Sequence, residues 1–161
     1  MEKKFTSKIP WREKIDRITE FKVIDIPIRM QKRFGKGKML IPRPSDLEGL
    51  IKKIRKGKLV TKSELRNRLS ADFNADVTCP ITAGIFLRII AEAAEEESGN
   101  GKKAITPYWR VINNDGSLNV NFHGGEKHQA EYLKKEGHKI GKSLKGNRLT
   151  VKEFEKKIAS L

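Results

Sequence analysis

T-P-Y-W-R-V-I-N-N-D-G-S-L-N-V-N-F-H-G-G-E-K-H-Q-A-E-Y-L-K-K-E-G-H runs from Thr106 to His138, and the rest of the chain is read outward from it. Its leading part, Ile105–Ile112, has the large and β-branched side chains of an extended segment, and N-N-D-G is a turn signal. Asn119–Phe122 extends briefly before Gly124-Gly125. Glu126–Glu136 then reads as a helix that Gly137 stops. At the centre stand two adjacent rings, Tyr108 and Trp109, which suit either a core strand or a surface that stacks on flat partners.

This block resembles the reactive-site segment of the O6-alkylguanine DNA alkyltransferases, P-C-H-R-V followed by a glycine-rich loop and a helix ending in E-G-H. Pro107, Arg110, Val111, Gly116, Leu118, Leu133, Glu136, Gly137 and His138 match that pattern. Tyr108 stands where the family has its alkyl-accepting cysteine, and Trp109 replaces the histidine that would ionise the thiol. Alkyl transfer needs a thiolate activated by a neighbouring base, and a phenol beside an indole offers neither. The resemblance therefore implies a non-enzymatic relative with no catalytic residue, similar to the alkyltransferase-like branch. That branch also lacks the cysteine but usually keeps the histidine, which this chain does not.

The resemblance spans roughly Leu47 to Lys139. Gly99-Asn100 keeps the family's distance from the reactive position, and Asn100 and Glu136 are implied to be structural remnants of the site. The arginine that fills the gap left by a flipped base falls on Arg88 if one extra helical turn is allowed. Alignment on Ala83-Gly84 puts Ile81 there instead. The family's early tyrosine falls on Lys62. The loop N-V-N-F-H-G-G corresponds to a wall of the alkylguanine pocket, so a base pocket is implied from Tyr108, Trp109, Arg110, Asn119, Phe122, Gly124 and Gly125. DNA contacts are implied from Lys62, Thr82, Ile85 and Arg88. The implied fold is α+β and mainly helical: an alkyltransferase C-terminal-like domain over 45–161, with a winged helix-turn-helix-like reader.

Composition bounds the partners. The 161 residues carry a net charge of +15 with 37% hydrophobic content, enough for one core. Residues 1–60 hold 18 Lys and Arg against 7 Asp and Glu, +11 of that total. Such asymmetry favours a polyanion, because cations placed on phosphates release counterions. Within it, Q-K-R-F-G-K-G-K (Gln31–Lys38) mixes Lys32, Arg33, Lys36 and Lys38 with one ring and two glycines, as befits a flexible segment along a phosphate backbone. Residues 1–44 read as a basic extension, irregular apart from a short strand at Phe21–Ile28. No apolar run is long enough for a membrane helix, and a cytoplasmic, monomeric protein partnered by duplex DNA is expected.

Helical signals begin at Ser45, where S-D-L-E is a capping box for Leu47–Ile54 and Gly57 can close the helix. T-K-S-E at Thr61–Glu64 opens a second helix through Leu69. Thr78 can cap a third, from Pro80 to about Glu97, and the last two fit a helix-turn-helix variant. Because Glu92, Glu95, Glu96 and Glu97 would repel phosphate, only the N-terminal half of that reader is expected to face DNA. T-V-K-E at Thr150–Glu153 is read as starting a final amphipathic helix. The lone Cys79 excludes an internal disulfide, and the three histidines lack zinc-type spacing, so neither metal nor cofactor is expected. Two other classes stay open: an RNA- or ribosome-associated basic protein on this scaffold, and an enzyme using Cys79 at a helix N-terminus, where the dipole favours thiolate.

Overall fold

The computed structural model describes residues 5–143 and 146–161. Its centre is helix α5 (Pro80–Gly99), which buries Ala83, Leu87, Ile90, Ala91, Ala93 and Ala94. The small alanine face lets neighbours approach closely, and α1 (Trp11–Arg17) and α3 (Pro44–Ile51) lie against it. Preceding α5 is α4 (Lys62–Asp72), capped by Thr61, whose hydroxyl oxygen accepts from the Glu64 amide at 3.3 Å. Between α4 and α5 the chain turns through Asn74, at φ 53°, into β4 (Val77–Thr78). The Thr78 hydroxyl donates to the Arg66 carbonyl at 2.8 Å, tying the two helices of the reader together, while Cys79 occupies the cap position expected for Thr78.

The described residues 5–44 are not an irregular arm. They include α1, β1 (Lys22–Asp25), α2 (Ile28–Phe34) and β2 (Lys38–Ile41), and Trp11, Ile15 and Leu40 belong to the main core. Strand β2 pairs antiparallel with β1 and parallel with β4, with Leu40 opposite Thr78, so this segment is stitched to the entrance of α5. The glutamates of α5 supply the rest of the attachment. The Trp11 amide donates to the Glu96 carboxylate at 2.9 Å, and Arg12 bridges Glu48 and Glu97 at 2.8 and 2.6 Å. Carboxylates that look repulsive to phosphate thus serve as internal acceptors.

Other local readings shift by tertiary pairing. Helix α3 starts at Pro44, with the Arg43 amide donating to Asp46 at 2.9 Å, and it ends at Ile51, before Gly57. The expected extended run at Ile105–Ile112 contains a 3-10 turn at Tyr108–Arg110, followed by β5 (Val111–Ile112) beside β3 (Val60–Thr61), with Val60 opposite Val111. Thr150 does not cap a helix. Leu149–Val151 is strand β7, paired with β6 (Ile140–Lys142), and only a 3-10 turn follows at Phe154–Lys157. A two-strand ladder that buries Val151 outweighs a local capping signal.

Helix α6 (Gly125–Lys135) begins after Gly124, whose φ of 75° and missing side chain are both required. A β-carbon there would lie 2.6 Å from that of His128. Gly137 at φ 92° closes the helix, with the His138 amide returning to the Leu133 carbonyl at 3.0 Å. Among the described residues no helix is long and apolar enough to cross a membrane.

Candidate nucleic-acid interface

Tyr108 is wholly inside the protein, at 0% exposure. Its ring meets Trp109, Phe122 and Tyr132 edge-on at centroid distances of 5.4, 5.2 and 6.1 Å, and its hydroxyl donates to Glu95 at 2.7 Å. The same carboxylate oxygen accepts from the Tyr132 hydroxyl at 2.9 Å and lies 3.1 Å from His128 Nε2. Burial pushes the Tyr108 phenol far above its ordinary range, and the hydrogen bond to Glu95 adds to the shift. Tyr132 is pushed up to about 12 by the same two causes. Burial alone would raise Glu95, but its hydrogen bonds from Tyr108, Tyr132 and His128 hold it below the usual carboxylate value. A phenol that holds its proton, facing a carboxylate that resists one, is not an activated nucleophile.

Trp109 is 8% exposed and stacks on Tyr132 at 4.0 Å and 6°. Its Nε1 donates to Glu136 at 3.1 Å, and Arg110 grips the same carboxylate with Nε and Nη2 at 2.9 and 2.6 Å while donating to the Ile54 carbonyl. Burial would raise Glu136, yet the bonds from Arg110 and Trp109 keep it low. His138, beside this pair in the chain, is lowered by burial. Arg110 and Glu136 therefore brace the turn that carries the two rings.

The seven residues expected to line one base pocket do not share one. Tyr108 and Phe122, at 0 and 2% exposure, have no free face. Trp109 and Arg110 border a cleft of about 390 Å³ together with Lys52 and Lys102. Gly124 and Gly125 serve the start of α6, as the cap and first residue. Asn119 borders a second cleft, about 310 Å³, which also gathers Lys62, Ile85, Arg88 and Asn121. Asn100 caps the C-terminus of α5.

Of the expected DNA contacts, Ile85 is exposed, as is Ile81 at 59%, so the N-terminal half of α5 does present side chains outward. Thr82 turns inward, its hydroxyl 3.4 Å from the Cys79 sulfur, and Cys79 is itself buried. Arg88 does not project: Phe5 covers its guanidinium at 3.8 Å. Lys38 is engaged by Asp25 at 2.6 Å, whereas Lys32, Arg33 and Lys36 are exposed.

What sequence reasoning missed is a cluster of cations that face one another. Lys62 is lowered by burial and then by Arg66 and Arg148, and Arg66 is lowered by burial and then by Arg33. Neither Lys62 nor Arg66 forms an ion pair among the described residues. The available signal was the i, i+4 spacing of Lys62 and Arg66 on α4, which puts two cations on one helix face, while the intervening Glu64 sits two positions off that face and bonds Thr61. Arg33 and Arg148 come from remote segments and left no such trace.

Neither a family model nor a curated protein sequence matches the chain. Solved structures do. S. pombe ATL in complex with DNA aligns at TM-score 0.54 and 18% identity, covering 73% of this chain and 94% of that one. S. pombe Atl1 in complex with damaged DNA containing O6-carboxymethylguanine aligns at TM-score 0.50 and 17% identity, with the same coverage. With the architecture shared over nearly the whole of those chains, the protein has the alkyltransferase-like fold.

Proposed function

We propose that the protein binds duplex DNA without chemistry, presenting the N-terminal half of α5 and the α4 cations to the duplex and holding an extruded or modified base in the cleft between α5 and Asn119–Asn121. The observation that carries this reading is the pair Lys62 and Arg66, half-buried cations with no acidic partner among the described residues, beside exposed Ile81 and Ile85. Uncompensated cations cost stability, and a phosphate backbone supplies the missing charge. Apolar side chains flanking them can insert between base steps. Lys32, Arg33 and Lys36 on and after α2 extend the same charge. The DNA named in the two S. pombe complexes is consistent with this assignment.

Anisotropy titrations against plain duplex, O6-methylguanine duplex, single-stranded DNA and structured RNA test it. The expected result is duplex binding with a steep salt dependence and preference for the modified duplex. Stronger binding to structured RNA, or a methyl group transferred to Cys79 in intact-mass measurements, would overturn it.

A further inference from the structure

Phe5 sits in the same cleft that Lys62, Ile85, Arg88, Asn119 and Asn121 border. Its ring lies nearly parallel to the Trp11 indole, 4.9 Å between centroids at 13°, and the Arg88 guanidinium is 3.8 Å from its centroid. Two planar groups thus engage one flat ring, the arrangement by which proteins hold unstacked bases. The fit of a phenyl ring is incomplete in one respect. Arg88 Nε is buried without a hydrogen-bond partner, and a phenyl group has no acceptor to offer.

We infer that Phe5 is an intramolecular stand-in at a ring-binding site built by Trp11 and Arg88, and that an unpaired nucleobase displaces it. A nucleobase has the same flat face and adds ring nitrogens and carbonyl oxygens that can accept from Arg88 and pair with the side chains of Asn119 and Asn121. The cleft is flanked by Lys62, so its charge favours a ligand attached to phosphate. Displacement is local. Between Phe5 and Ile9 the segment is held by a short-range bond from the Ile9 amide to the Ser7 hydroxyl, whereas α1 itself is fixed through Trp11 and Glu96. The segment can release its ring without unfolding the body. A tethered occupant competes at high effective concentration, so the cleft is occupied until a base is presented, and apparent affinity is reduced by the unoccupied fraction.

This inference rests on the DNA-binding reading, and the two are separable in one experiment. Full-length wild type, Phe5→Ala, Phe5→Tyr and Arg88→Ala are titrated against a fully paired duplex and against the same duplex with one unpaired 2-aminopurine. Phe5→Ala should bind the unpaired-base duplex about fivefold more tightly and quench 2-aminopurine more strongly, with paired-duplex affinity unchanged. Phe5→Tyr, which keeps the ring, should match wild type, and Arg88→Ala should lose the preference for the unpaired base. Phe5→Ala that binds the unpaired-base duplex no better than wild type, while thermal melts show it folded, overturns the inference alone. If Phe5→Ala fails to fold, Phe5→Tyr and Arg88→Ala decide: an undiminished preference in Arg88→Ala overturns it. Loss of all duplex binding in wild type overturns the parent reading and this one with it.

Discussion

The Tyr108 hydroxyl donates to the Glu95 carboxylate at 2.7 Å, inside a core where the phenol has no exposure. This bond joins the ring to the central helix: the phenol keeps its proton and donates it to a carboxylate whose hydrogen bonds hold it below the usual carboxylate range. Removing the hydroxyl leaves Glu95 with Tyr132 and His128. Tyr108→Phe should therefore destabilise by about 1.5–3 kcal/mol, the range for hydrogen bonds to charged groups, read as a lower denaturation midpoint at constant m. Tyr108→Ala should cost about 3–5 kcal/mol through the cavity it opens. Tyr108→Cys should remain inert toward O6-methylguanine DNA by intact mass, because Trp109 cannot deprotonate the thiol; alkylation of that single variant would refute the account.

The N-terminal segment is the place where composition misled most. Trp11 and Ile15 fill the main core, and Leu40 does so from β2. Deleting residues 1–44 should expose that surface and yield an aggregated or molten chain. Trp11→Ala in the intact chain should lower stability by about 3–5 kcal/mol. A soluble, cooperatively melting fragment 45–161 would show that the segment is an appendage after all.

How much of this was legible follows from the range of each signal. The α4 cap at Thr61, the Pro80 start of α5 and the glycine stop of α6 are local devices, and a local device is written in adjacent residues. The integration of α1 depends on Glu96 and Glu97 accepting from residues 85 positions away, which no window detects. Thr150 failed for the converse reason: its capping pattern is complete, but pairing with Gly141 takes the residue into a strand. The matching block around Pro107 located the fold, while burial of Tyr108 moved the candidate cleft to Lys62, Arg88 and Asn119, residues scattered over three segments.

Acid sensitivity should come in two stages. His138 has its folded-state value lowered from 6.5, chiefly by burial, so the unfolded chain takes up the proton first. Its contribution is fully present above about 6.5 and is lost as pH falls through the folded value. Glu95, Glu97 and Glu136 are likewise lowered, from 4.5, and their contribution is lost only below that point. Thermal melts of His138→Gln should lose part of the stability decline between pH 6.5 and 4.5 while keeping the steeper one below. An unchanged upper limb would remove His138 from the account.

The cations of α4 should trade stability against binding. Because burial, and then like-charged neighbours, lower Lys62 and Arg66, the fold disfavours their charged forms. Lys62→Met should thus leave the melting temperature unchanged or raise it, most at low salt where repulsion from Arg66 and Arg148 is least screened. The same substitution should weaken duplex binding and reduce the slope of log K against log salt by about 0.9, the value for one phosphate contact. Ile81→Ser separates charge from contact: at 59% exposure it should scarcely alter folding yet impair duplex binding, whereas Lys53→Met, in the turn after α3, should change neither slope nor affinity by comparable amounts. Destabilisation by Lys62→Met together with an unaltered salt slope would mean that the lysine holds the fold and does not meet a phosphate.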